Sequence, residues 1–78
     1  MTQHTIQRVI ILGDLKPVVF LPWIDRHAAK LGLSQSIIHV SDTRIEIDFH
    51  GQEDLIDMME VGCFLGPIDV WVDAIERL

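Results

Sequence analysis

A chain of 78 residues, 49% hydrophobic and 23% charged, reads as one small folded domain over residues 1–78. It buries roughly 60% of its unfolded surface and has no room for a deep, enclosed active site. Twelve acidic against six basic residues give a net charge of −6 with no Lys or Arg cluster to offset it, which excludes nucleic acid as a partner class, because duplex binding needs several phosphates neutralised.

The lone Cys63 excludes an intrachain disulfide, consistent with a reducing compartment. No apolar run reaches the ~18 residues of a membrane span and no leader pattern appears. A cytoplasmic protein that does not enter membranes is the expectation.

The first element in chain order is a strand, Ile6 to Leu12 (IQRVIIL), β-branched and polar only at Gln7 and Arg8, which suits a central strand covered on both faces. Gly13 to Leu21 then reads as a loop leading into a helix, where backbone N–H groups can cradle an anion. From Phe20 the period changes: Phe20, Ile24, Ala28 and Leu31 recur at spacings of four, four and three, the stripe of a helix packed by one face. Pro22 falls in its first turn, where a missing N–H costs nothing, and Gly32 stands at its left-handed cap.

Two β-branched runs follow, Ser36 to Val40 and Arg44 to His50, joined by a turn at Ser41, Asp42 and Thr43. In the second, Ile45, Ile47 and Phe49 alternate with Glu46, Asp48 and His50, one face core and the other wet. Simple alternation in the first puts His39 on the face of Ile37, as a structural histidine. Gly51 breaks the strand, and Gln52, Glu53 and Asp54 open a second helix whose dipole favours the acidic pair. Leu55, Met59 and Gly62 or Cys63 mark its buried side. Gly66 and Pro67 end the connection, and Ile68 to Ile75 (IDVWVDAI) is the last strand.

The order β-α-β-β-α-β specifies an α+β, ferredoxin-like split β-α-β sandwich, a four-stranded antiparallel sheet with both helices on one face. Right-handed crossovers give the strand order 4-1-3-2. The loop after strand one, the turn after strand two and the connection into strand four then meet at one end of the sheet. A site is expected there, built from Gly13 to Leu21, His39 to Thr43 and Cys63 to Pro67.

Along that frame the chain carries Gly13, Leu15, Val18 and Phe20, then Ala28 and Leu31-Gly32-Leu33, then Ile37, Ile45 and Glu46, then Gly66-Pro67 and Val72. Without a gap from Gly13 to Glu46, this resembles the acylphosphatases, small enzymes of this fold that hydrolyse carboxyl phosphates. Their pattern runs G-x-V-Q-G-V-G-F-R, later L-G-L-x-G-x-V-x-N, and near the end G-P. The resemblance implies an arginine and loop amides that hold the phosphoryl oxygens, and an asparagine that places the attacking water. Leu21 stands at the arginine position and His39 at the asparagine position, while Pro17 and Val19 replace loop glycines.

Two expectations follow. In the first, the domain has lost acyl-phosphate hydrolysis and the altered end, with Val19, Phe64 and Leu65 apolar, contacts a protein partner or a second copy. In the second, a divergent acylphosphatase uses Lys16 and His39 with the surviving amides, and the segment Lys16, Val18, Val19, Phe20 and Leu21 binds a small anion or acyl phosphate. No cofactor is implied. His4 on the N-terminal tail, His27 on helix one and His50 beside Asp48 show no metal-ligand spacing, and Cys63 reads as a small core residue.

Overall fold

A computed structural model describes residues 4–78. Strands β1 (His4–Asp14), β2 (Ser34–Val40), β3 (Arg44–Gln52) and β4 (Trp71–Arg77) form one antiparallel sheet in the order β2-β3-β1-β4. Helices α1 (Pro17–Lys30) and α2 (Glu53–Leu65) complete the split sandwich in the expected order. Val9 and Ile11 of β1 and Ile45, Ile47 and Phe49 of β3 point to the helices and meet Phe20, Ile24 and Ala28 of α1 and Ile56, Met59 and Cys63 of α2. Every one of these side chains is nearly free of solvent.

The other face of the sheet has no helix on it. The expectation of a strand covered on both faces holds at the centre of β1, where Ile10 on this open face is 4% exposed, and fails at its start, where Ile6 is 62% exposed. On this open face the Arg8 guanidinium donates to both carboxylate oxygens of Asp48, at 2.8 and 3.1 Å.

Several boundaries move from their expected places, each for a physical reason. The strand β1 begins at His4, so that residue is not on a tail. The helix α1 starts at Pro17, with proline's fixed φ suited to the first position. Pro22 thus lies inside α1, where it removes the bond that the Val18 carbonyl would accept. Gly51 does not break β3 but sits within it, buried, because a Cβ there would collide with the Leu33 side chain. In α2 the buried stripe is Ile56, Met59 and Cys63, with Leu55 only partly covered. The last strand starts at Trp71: the Val70 N–H donates to the Pro67 carbonyl at 3.0 Å and closes a turn that holds Ile68 and Asp69 in solvent.

The largest correction is in β2. Ile37 pairs with Ile47, but His39 pairs with Glu46, so Ile38 is an extra residue in the strand. Such a bulge reverses the alternation. Ile37 stays on the helical side, whereas His39 turns to the open face with Glu46 and is exposed, not structural.

Between the helices, the Trp23 ring stacks on His27 with centroids 4.7 Å apart and planes 8° from parallel. Gly62 makes room for this, since a Cβ there would lie 2.7 Å from His27 Nε2. His27 is a packing residue between α1 and α2.

Candidate functional site

The three segments expected to meet at one end of the sheet are joined there by backbone contacts. The Gly13 N–H donates to the Thr43 carbonyl at 3.2 Å and the Leu15 N–H to the Asp42 carbonyl at 2.9 Å, which fastens the end of β1 to the β2–β3 turn. On its other side Asp14 pairs with Trp71, past a bulge after Leu12. Gly13 is required at that point: its φ is +155°, and a Cβ would collide with the Trp71 carbonyl oxygen.

Only Asp14, Leu15 and Lys16 separate Gly13 from α1. Lys16 is the helix cap and has left-handed backbone angles, φ 42° and ψ 70°. Its carbonyl accepts the N–H groups of Val19 and Phe20 at 2.9 and 3.0 Å. Pro17 has no N–H to give. Among the described residues, the N–H groups of Lys16 and Val18 are the ones at this turn that donate to no protein acceptor. The cradle is thus reduced to two amides.

Side chains add little to hold an anion. The Lys16 ammonium lies 3.3 Å from an Asp14 carboxylate oxygen in an exposed pair. Phe20 is fully buried and Leu21 packs partly into the core. Leu21 is on the helical side of the sheet, and His39 is on the face opposite the helices. No three His, Cys, Asp or Glu side chains cluster to hold a metal ion among the described residues.

Cys63 is fully buried, and burial, helped by the charge of Glu60, pushes its thiol up to about 12. A thiol that stays protonated at neutral pH is no nucleophile.

What the end of the sheet does present is apolar. Val18 is 91% exposed, Leu65 78%, Ile68 99% and Trp71 69%, with Val19 and Phe64 about half exposed. Phe64, Leu65, Val70, Trp71, Val72 and Asp73 line a surface cleft of about 390 Å³. Of the expected strand Ile68 to Ile75, Ile68 falls in a turn and Trp71 opens the strand; the signal for the turn is Gly66-Pro67 followed two residues on by Asp69.

No protein-family model matches the chain. An acylphosphatase of Alkalilimnicola ehrlichii is 31% identical over 70 residues, covering 90% of this chain and 79% of that protein. The structure of an acylphosphatase from Coxiella burnetii matches with a TM-score of 0.86 at 23% identity, over 100% of this chain and 86% of its own. One from Bacillus subtilis matches at 0.83 and 24% identity, over 95% and 83%. The two structures share the fold, and the 31% identical relative carries the resemblance further. With the fold and the motif from Gly13 to Pro67 agreeing with it, the chain belongs to the acylphosphatase family.

Proposed function

We propose that this acylphosphatase-family domain no longer hydrolyses acyl phosphates and works as a binding module through the end of its sheet. The observation that carries the reading is Leu21, which occupies the family's arginine position and packs partly into the core. Acyl-phosphate hydrolysis is almost entirely positioning and charge stabilisation. A guanidinium offers phosphate two charge-assisted bonds, and a leucine offers none. Losing one transition-state donor of that type costs ~3–4 kcal/mol, or 100- to 1,000-fold in rate. The second position carries His39 in place of the asparagine, exposed on the face away from the helices.

The competing enzyme reading needs Lys16 and His39 to act together. Lys16 is engaged with Asp14, and His39 lies across the sheet from α1, so neither supports it.

The test is hydrolysis of an aryl acyl phosphate by the wild-type chain, by the Leu21→Arg, His39→Asn double variant and by the Alkalilimnicola relative as a positive control. The expected result is no turnover above the spontaneous rate in the wild type. Wild-type turnover near that of the relative overturns the proposal.

A further inference from the structure

The sheet has two edges, β2 and β4, and they are defended differently. An edge strand leaves a row of N–H and C=O groups without a strand to pair with, and proteins blunt such edges with charge. The edge β4 carries Asp73, Glu76 and Arg77, and Arg77 reaches over to Asp57 and Glu60 of α2 at 2.7 and 2.6 Å. The edge β2 reads SQSIIHV, with no Lys, Arg, Asp, Glu, Pro or Gly. Ile37 and Ile38 are each 46% exposed, and Val40 is 38% exposed. A short, uncharged, β-branched segment on an edge is the kind that recruits another strand.

The helix beside this edge extends the apolar surface. Gln35 Nε2 donates to Asp25 Oδ1 at 3.1 Å, so the flank of α1 that carries Asp25 is turned to β2. Leu21 and Val18 lie four and seven residues before Asp25 on that same flank, and Val18 is almost fully exposed. Ile37 and Val40 follow Gln35 on the helical side of β2, opposite the core residues Ile47, Ile45 and Phe49. Strands β1 and β2 both run antiparallel to β3, so α1, which connects them, runs the other way. Val18 is about 10 Å along the helix from Asp25, and Val40 about 13 Å along the strand from Gln35, in the same direction. Val18 and Leu21 therefore come level with Ile37 and Val40.

Charge decides what fits. Two chains of net charge −6 repel one another over most of their surface, but β2 brings no charged side chain against its like. Asp25, the acid on the flank, already accepts from Gln35. A cationic or acidic partner finds nothing on this strand to pair with, whereas a strand is its own antiparallel match across a twofold axis. The same axis brings the two α1 flanks, each with Val18 and Leu21, toward one another over the seam.

We propose that β2 pairs antiparallel with β2 of a second copy, joining two sheets into one of eight strands. The bulge at Ile38 shortens the regular ladder. One strand and one helix flank per copy is a contact at the low end of interface sizes, below ~1,200 Å², so the dimer is weak. The charged β4 edges left at either end close the assembly at two.

Sedimentation of the full chain from about 10 μM to 1 mM is expected to show a monomer giving way to a dimer. Salt should strengthen it by screening the repulsion. Amide hydrogen exchange should slow at Ser34–Val40 in concentrated protein and stay unchanged at Trp71–Arg77. Ile38→Lys should weaken self-association about tenfold or more, while Ile6→Lys, the same charge change on the helix-free face, should not. Val18→Lys changes a side chain too exposed to support the fold and should also weaken the dimer, which decides the matter if Ile38→Lys does not fold.

A monomer at every concentration overturns the proposal. So does a dimer whose slowed amides lie on β4 or α2, one that salt weakens, or one that Ile38→Lys and Ile6→Lys weaken equally. A chain that stays monomeric while an alternating Thr-Val peptide slows its Ser34–Val40 amides also overturns it, and gives the edge to an extended segment of another protein. The acyl-phosphate assay stands apart: turnover there sinks the loss of catalysis and leaves the dimer as it is.

Discussion

Helices α1 and α2 bury equivalent stripes against one sheet and differ in what they turn to water. Phe20, Ile24 and Ala28 on α1 correspond to Ile56, Met59 and Cys63 on α2, all fully enclosed. The outer side of α1 carries Asp25, Arg26 and Lys30, mixed in sign and exposed. The outer side of α2 carries Met58, Val61 and Leu65. Stability explains both inner stripes, and it does not explain the outer stripe of α2. Exposed apolar residues in a continuous patch on a small domain mark a contact surface.

The sharpest way to break this comparison is to truncate the two inner stripes in parallel. Ile24→Ala and Ile56→Ala should each cost ~2–5 kcal/mol, because each removes a fully buried side chain and leaves a cavity. Chemical denaturation of the two variants checks this. A loss under ~1 kcal/mol at Ile56 would mean that α2 is loosely packed and that its two faces are not distinct.

A smaller effect is expected at the strand junction that presents Trp71. Gly13→Ala places a methyl group against the Trp71 carbonyl at a φ of +155°. The variant should lose about 1–3 kcal/mol. Its Trp71 indole resonance should move while that of Trp23, stacked on His27, stays in place. Equal movement of both would show a global change instead.

The inner stripe of α1 was readable in the sequence because it is a matter of period, and β3 likewise, where Ile45, Ile47 and Phe49 alternate without interruption; on α2 the same reading found Met59 and Cys63 but chose Leu55 where Ile56 is buried. The strand order followed from connection rules. What did not follow was any feature set by a single backbone irregularity. The extra residue at Ile38 reverses the face of His39, and no residue type in SQSIIHV announces a bulge. The turn at Pro67 to Val70 interrupts an apolar alternation that, read by period alone, continues a strand. At the cradle, the substitutions Pro17, Val19 and Leu21 were visible, whereas the left-handed backbone of Lys16 at the helix cap was not, because only Gly, Asn or Asp would signal it.

On the outer faces the comparison predicts near equality in stability. Arg26→Ser on α1 and Leu65→Ser on α2 should both fall within ~0.5 kcal/mol of wild type, since each side chain is exposed. Thermal unfolding of the pair measures it. If Leu65→Ser costs ~2 kcal/mol, the residue is structural, and its exposure is not available to a partner.

The smallest effect belongs to the face that carries no helix, where Arg8 pairs with Asp48. The Arg8 hydrogen bond, with the Arg8 charge, holds the Asp48 carboxyl below its ordinary value of 3.8. A carboxyl with a lowered folded value adds stability that is fully present above its unfolded value and is lost as pH falls through the folded one. Wild type should therefore exceed Arg8→Met in Tm at pH 6, and the gap should close as pH falls below about 4. High salt should narrow it only modestly, because Asp48 is partly sheltered by the sheet. A gap that stays constant with pH would assign the contribution of Arg8 to packing of its aliphatic stem over the strands, leaving the Arg8–Asp48 pair without an electrostatic role in the fold.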